Sequence, residues 1–459
     1  MDWSEGLERM SSRPAVAVPP ASRLASAAEG LWRWVTATRT LPKSRLTRSD
    51  WLYIIAALVL SRALIVLVGL VGASMFPAVA PNHAWVMQPI TWQTIGRWPA
   101  LVDHFDSGFY IGVSHGYPAV VAGNAGALRI WAFLPGYPIA LHIVAVILAF
   151  LHIPGPVDVI AGTLVSTVAL FGAVVYLYRL TAAELDRATA RRAVTYLLIF
   201  PTAVFLTAVY PESLLLLATV GAFYHARRRQ WLFAGLYSAV AMATHSEGFV
   251  TLAPVSLEFL AYYWSNGGWR QWGMLKLGWL FGPPAAAIGM YALYSHSRTG
   301  YWLAYSASEY IVWKRRLSLP IEPFVGMVLH PGIGSTFDFD FRLLNIVVAF
   351  VALALCVVAA RRLPAAYCLA IALGVLLPFS TDGSHLHALS RYVGALFAIF
   401  VALAAWSLRR RWSPTGDAVV AEPASALALN MRDRVVVAPS LLMLAVFTLL
   451  FTAGVWAAI

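Results

Sequence analysis

Charge is scarce in this chain. Asp, Glu, Lys and Arg make up 12% of its 459 residues, against 60% hydrophobic residues, and too little polar surface remains to cover a soluble particle of that length. This excludes a soluble globular enzyme and predicts a polytopic integral membrane protein. Cysteine is scarcer still: Cys356 and Cys368 are the only two, both inside apolar stretches without metal-ligand spacing, so neither a disulfide framework nor a zinc site is expected. Also missing are a GxGxxG turn, a GxxxxGK[ST] loop, an HExxH helix and a GxSxG elbow, which argues against nucleotide-driven chemistry. The first 50 residues, rich in Ser, Ala, Pro and Arg, lack a continuous apolar run of the signal-peptide kind and are expected to form a flexible cytoplasmic tail.

What is there is a series of apolar runs: Trp51–Met75, Ile130–Leu151, Val157–Leu180, Ala193–Val209, Leu214–Ala226, Trp231–Thr244, Phe249–Trp264, Met274–Ser295, Leu343–Ala360, Pro364–Ser380, Leu389–Leu408 and Val435–Ala458. They predict an all-α membrane protein of about 10–12 hydrophobic helices, some of them half-length. The formal net charge of +12 lies in short basic clusters between the runs. Arg33, Arg39, Lys43, Arg45 and Arg48 precede the first run and place the N-terminus in the cytoplasm by the positive-inside rule. Arg187, Arg191 and Arg192, then Arg227 to Arg229, Arg361 and Arg362, and Arg409 to Arg411 mark cytoplasmic ends at every second turn.

Counting crossings from the N-terminus puts the Arg187 cluster on the wrong side, so one segment does not cross. The candidate is Ile130–Leu151, whose opening FLPGYP carries two prolines able to break it into a re-entrant or interfacial piece. The runner-up is a broken helix at Leu214–Ala226. On this phase the first large loop (about Phe76 to Arg129), YPES (Tyr210 to Ser213), HSEG (His245 to Gly248), a second long loop near 297–341 and DGSHLH (Asp382 to His387) all face outward. Nearly all unpaired acids and histidines thus converge on one face, which suggests a polar site there. The densest constellation is DHFDSGFYIGVSHGYP, Asp103 to Pro118. On a helix, Asp103 and Asp106 would share a face; the plainer reading is a solvated loop whose acids cap a short helix.

Five segments in order carry a family resemblance. FDSGFYIGVSHGYP (Phe105 to Pro118) is similar to the W-D-(S/A)-x-x-(Y/F)…G-Y first-loop signature of the GT-C glycosyltransferases, specifically the GPI mannosyltransferase II family and its bacterial relatives. FLPGYP (Phe133 to Pro138) resembles that family's FFPLYP, FPTAVFLTAVYPESLLLL (Phe200 to Leu217) its NPAxxFxSAxYSESLF, ATHSEG (Ala243 to Gly248) its xTRSNG, and SRY (Ser390 to Tyr392) its late PRY/SRY element. The chain departs from the pattern at His104-Phe105, where Arg-Trp is usual, and at His245 and Glu247, where Arg and Asn stand. In YWLAYSASEYIVWKRRLSLP (Tyr301 to Pro320), which looks like the aF…Q…W.R…P segment, Glu309 or Ser308 replaces the Gln.

The resemblance implies a GT-C-like fold and transfer of a sugar, mannose foremost, from a polyprenyl-phosphate donor to a hydroxyl of a lipid-linked or extracytoplasmic glycan acceptor. Such an inverting displacement needs one base and cations to hold the departing phosphate. Asp106 is the expected base; Asp103 orients the acceptor, binds a divalent ion or caps the loop helix. Expected substrate contacts are Arg62, His104, His115, Tyr117, Tyr210, Glu212, His245, Glu247, Trp313, Arg315, His387 and Arg391. Several have plainer readings. Arg62, in mid-helix, can pair with a buried acid such as Glu212 or Glu258; Glu212 can serve as a first-turn helix acid; Lys314 to Arg316 can meet lipid headgroups; Glu258, His142 and His152 read as structural.

With a lipid monophosphate donor no cofactor or metal is required, and a divalent cation stays compatible. The expected partners are membrane lipids, the donor and the acceptor, with no nucleic acid. The expected organisation is a cytoplasmic tail (1–50), a catalytic membrane module (51–408), a cytoplasmic loop (409–434) and a final transmembrane helix (435–459) peripheral to the module. The alanine- and arginine-rich composition fits a high-GC bacterium and its plasma membrane. The rival from another class is a secondary transporter or lipid flippase, against which stand the absence of an internal repeat and the gathering of acids on one face. A polymerase or ligase acting on lipid-linked glycans shares the architecture.

Overall fold

The computed structural model describes residues 20–42, 45–75, 98–99, 101–120, 125–267, 273–322, 325, 342–382, 388–415 and 429–454. Its helices are α1 (Pro20–Thr36), α2 (Arg48–Met75), α3 (Ser107–Ser114), α4 (Gly136–Phe150), α5 (Val157–Glu184), α6 (Arg187–Leu198), α7 (Glu212–Arg227), α8 (Trp231–Thr244), α9 (Leu252–Ser265), α10 (Gly273–Thr299), α11 (Ala304–Ile311), α12 (Arg342–Arg362), α13 (Ala365–Phe379), α14 (Leu389–Gly394), α15 (Phe397–Ser407) and α16 (Met431–Thr452). Two-residue strands β1 (Arg316–Leu317) and β2 (Thr381–Asp382) pair antiparallel and tie the loop after α11 to the end of α13. The all-α membrane architecture expected from the apolar runs is present.

Among the described residues, four helices are long and apolar enough to cross a membrane: Arg48–Ser74, Val157–Glu184, Asn345–Arg362 and Met431–Thr452. Their outward faces carry Leu60, Leu67 and Leu442, each more than 60% exposed, a surface that hydrocarbon covers and water does not. The centre of the bundle is α5, α6 and α7, whose Leu170, Tyr178, Leu197, Leu216 and Phe223 are fully buried.

Ion pairs bear on the crossing parity. Asp50, at the start of α2, lies 3.5 Å from Arg187 and 3.9 Å from Arg191, and accepts a hydrogen bond from Tyr178 near the end of α5. The beginning of α2 and the end of α5 therefore share one end of the molecule, and the segment between them cannot be a third simple crossing. It is broken as its prolines predict: the 3-10 turn Gly126–Ala132 and α4 meet at 90° across the FLP sequence.

The arginine clusters are paired as well as sided. Thr47 and Asp50 form a reciprocal cap on α2, and Asn430 and Asp433 form another on α16. Both capping acids also bind α6: Asp50 as above, and Asp433 through Arg192, whose Nε reaches both carboxylate oxygens at 3.1 Å, with the Tyr196 hydroxyl donating as well. Arg227, fully buried, bonds Glu184 at 2.6 Å and Glu258 at 2.8 Å, so Glu258 is structural, as expected.

The N-terminal segment differs from expectation. Residues 20–42 form a helix and a docked strap instead of a flexible tail. Trp34 donates to the Leu363 carbonyl, Arg39 to the carbonyls of Ala183 and Glu184, and the Leu41 amide to the Arg227 carbonyl. Helix ends leave such carbonyls without partners, and the strap fills them.

Candidate active site

At the opposite end from the paired arginines, the first loop is pinned by the YPES segment. The Val209 amide donates to the Val102 carbonyl at 3.0 Å, and the Tyr210 hydroxyl donates to the His104 carbonyl while accepting from the Asp106 amide. Phe105, between them, has a left-handed backbone (φ 55°), a conformation a bulky residue holds only where its surroundings enforce it. Here His104 and Phe105 pack against Phe451, with ring centroids 5.3 and 6.0 Å away. Phe451 belongs to α16, so the last helix is not peripheral: it braces the loop.

Asp103 and Asp106 do not share a helix face, because α3 starts only at Ser107. Asp103 is fully buried and accepts from the Ser107 hydroxyl. Asp106 occupies the N-cap position yet makes no capping bond with its side chain. Its Oδ2 instead accepts from Arg391 Nη1 at 3.0 Å.

Arg391 arrives on α14, a short helix after the left-handed Ala388. Gly394 permits its close approach: a Cβ there would stand 2.6 Å from Thr202 Oγ1 and 3.2 Å from the Phe200 ring, so the SRY and FPT motifs meet directly. The guanidinium is buried among Phe205, Tyr210 and Tyr392, 5.2 to 5.7 Å from their ring centroids. Its Nε lies 3.0 Å from Glu212 Oε1. Glu212 opens α7, as the helix-start reading expected, but it also faces Arg391. Burial, opposed by Arg391, pushes its carboxyl up to about 7.

The HSEG turn closes another side. Gly248 folds it back so tightly that a Cβ would fall 2.0 Å from the Ala241 carbonyl oxygen. The His245 ring lies tilted against Tyr392, centroids 5.0 Å apart; burial, with Arg391 and Arg315 nearby, lowers its pKa to about 3, so it is neutral. Burial raises Glu247 to about 8. Glu247 and Tyr392 line a mainly apolar pocket with Leu215, Phe223, Leu396 and Phe397.

The loop after α11 forms a roof. Trp313 donates to the Arg129 carbonyl, the Arg129 guanidinium lies 4.9 Å from the Trp313 ring centroid, and Phe109 stacks on Phe133 at 4.5 Å. Arg315 pairs with Glu309 at 3.1 Å; burial raises the Glu309 carboxyl although Arg315 opposes it.

The structure thus brings together Asp106, Tyr210, Glu212, Arg391 and His245, with Glu247, Arg315 and Trp313 around them and Asp103 and His104 packed beneath. Others of the expected residues stand apart. Among the described residues Arg62 pairs with no acid; it donates to the carbonyls of Leu198 and Ala203 and to the Thr207 hydroxyl, closing the break between α6 and the next 3-10 turn. His115 is an exposed partner of Asp158 at 3.0 Å. Tyr117 is buried on Trp131 and donates to the Phe133 carbonyl. His387 lies outside the described residues. Tyr392, Arg129 and Phe451 are additions. Tyr392 stands inside the SRY motif and could have been read there; the other two carry no local signal.

Among the described residues, no group of three or more His, Cys, Asp or Glu side chains is placed to share a metal ion.

Residues 100–271 match the family model of Mannosyltransferase (PIG-V). A search of curated proteins finds no match. Among solved structures, the archaeal oligosaccharyltransferase AglB from Archaeoglobus fulgidus, in complex with an inhibitory peptide and a dolichol-phosphate, aligns with a TM-score of 0.41 at 14% identity, over 90% of this chain and 57% of that one. The A. fulgidus enzyme tethered with an acceptor peptide aligns with a TM-score of 0.40 at 15% identity, over 89% and 56%. This chain therefore spans little more than half the length of those structures. Over residues 100–271, the stretch that carries Asp106, Glu212 and Glu247, the chain is similar in sequence to the mannosyltransferases of the PIG-V family, as its motifs led us to expect.

Proposed function

We propose that this protein is an integral membrane glycosyltransferase that moves a sugar, mannose foremost, from a polyprenyl-phosphate donor to a hydroxyl of a lipid-linked or extracytoplasmic acceptor. The observation that carries the reading is the contact between Asp106 and Arg391: a carboxylate whose side chain keeps 14% exposure against a buried guanidinium. A carboxylate able to act as a base and a cation able to bind phosphate thus lie in one site, which supports displacement of a lipid phosphate.

In this reading the acceptor hydroxyl loses its proton to Asp106 as its oxygen attacks the anomeric carbon. The bond to the phosphate oxygen breaks on the opposite face, its electron pair leaves with the lipid phosphate, and the anomeric configuration inverts. Arg391, with Arg315 nearby, offsets the charge that develops on the leaving group. The apolar pocket beside Glu247 and Tyr392 offers the acyl or isoprenoid part of a substrate a dry surface. No metal is assigned a role. By the positive-inside rule the site faces away from the cytoplasm, and the residue composition suits a bacterial plasma membrane.

The test is transfer by the purified protein in liposomes, with radiolabelled polyprenyl-phosphate mannose, polyprenyl-phosphate glucose and a nucleotide-linked mannose offered separately together with a membrane lipid extract. Label passing from a polyprenyl-phosphate donor to a new lipid or glycan, with inverted linkage by NMR, supports the reading. Label passing only from the nucleotide sugar contradicts it.

A further inference from the structure

Three charged groups share one buried contact. Arg391 meets Asp106 through Nη1 and Glu212 through Nε, each at 3.0 Å. Two carboxylates on a single guanidinium leave one negative charge in surplus when all three are ionised. A pocket in that state repels the phosphate it is meant to receive.

The two acids are not equivalent. Asp106 accepts an aligned hydrogen bond from Arg391. Glu212 is 2% exposed, and among the described residues no side chain hydrogen-bonds its oxygens: the contact with Nε is close but out of line, and its own backbone amide is the one further group that helps hold the charge. A buried carboxylate that no side-chain hydrogen bond holds is the member of the trio that is neutralised at least cost. The remaining groups that face Glu212 are the phenols of Tyr110 on α3, Tyr137 on α4 and Tyr210 on the preceding turn, so among the described residues no second cation competes for it.

We propose that Glu212 is a positioning residue that takes up one proton from solvent when an anionic donor binds, so that Arg391 passes from the carboxylates to the donor's phosphate and Asp106 alone stays ionised as the base. This rests on the reading of Asp106 as base and of a polyprenyl-phosphate sugar as donor. Before binding, the trio and the donor together carry two negative charges; after the uptake they carry one. The upward shift of Glu212 to about 7 places the uptake near neutral pH. Once transfer has occurred, Asp106 holds the acceptor's proton, and release of the lipid phosphate returns Arg391 to both acids.

The donor is a phosphodiester, whose single charge does not titrate near neutrality, so a pH-dependent affinity reports on the protein. The experiment is equilibrium binding of synthetic farnesyl-phosphoryl-mannose to the purified full chain in detergent, from about pH 6 to about pH 9. In the wild type the dissociation constant rises above about pH 7 by up to about tenfold per pH unit. Glu212→Gln binds at all these pH values as the wild type does at the acidic end. A wild-type affinity that does not change with pH, or a Glu212→Gln variant that keeps the slope, overturns the proton uptake and leaves the donor reading standing. Failure of the diester to bind at any pH overturns the donor reading and the proposal together. The wild-type slope needs no variant, so poor folding of Glu212→Gln leaves the question decidable.

Discussion

Asp106 and Arg391, 285 positions apart in the chain, meet at 3.0 Å. Each lies in a motif that is weak alone, one in the first loop and one in the short SRY helix. Their meeting joins two ends of the predicted catalytic module at one point.

Arg391→Lys keeps the charge but loses the fork that reaches Asp106 and Glu212 at once. Sugar transfer is expected to fall about a hundredfold, in protein that still elutes as a single species in detergent. Transfer at the wild-type rate would mean that a point charge suffices and that the two-carboxylate geometry has no catalytic consequence.

Asp433 is fully buried between Arg192, Tyr196 and the cap of α16. Removing it leaves Arg192 without its counter-charge, so Asp433→Ala should destabilise the protein by about 3–5 kcal/mol. Arg192→Met combined with Asp433→Asn should recover part of that loss. Thermal unfolding in detergent measures both, and a double variant less stable than Asp433→Ala would show that the pair contributes little as an ion pair.

Glu247 makes stability depend on pH. Burial raises its folded pKa to about 8 from the ordinary carboxylate value of 4.5. Between those values the unfolded chain releases the proton that the folded one retains, so stability falls as pH rises through this window and levels off above about 8. Glu247→Gln removes this contribution and leaves those of the other raised acids, Glu212 and Glu309, in place. Its melting temperature should exceed the wild type's by a few degrees at pH 8, roughly, with the gap closing towards pH 5. A gap that is constant with pH would indicate that Glu247 is ionised in the folded protein.

The legible parts of this molecule are those with local cause. Two prolines in FLPGYP announce the broken segment, and the 90° bend follows. Asp106, Tyr210 and Arg391 stand in recognisable motifs, and the structure gathers them. Arg62 shows where such reading stops. A charge in mid-helix demands a partner, and the acids Glu212 and Glu258 are the obvious ones in sequence. The actual partners are carbonyls freed where α6 ends at Leu198 and the chain turns through Ala203, and a freed carbonyl leaves no mark on residue identity. Asp433 and Phe451 pose the same difficulty: each acts on a distant element, Asp433 on α6 and Phe451 on the first loop. The strap from 37 to 42 reads as polar and disordered because its hydrogen bonds go to helix ends that only tertiary packing brings within reach.

The central claim is that Asp106 is the base of a sugar transfer. The measurement that bears on it most directly compares wild type with Asp106→Asn, in liposomes, for transfer of radiolabelled mannose from polyprenyl phosphate, alongside donor binding by the same preparations. The account predicts that the variant folds and binds donor but transfers at least about a hundredfold more slowly. Transfer at an undiminished rate by folded Asp106→Asn would contradict it.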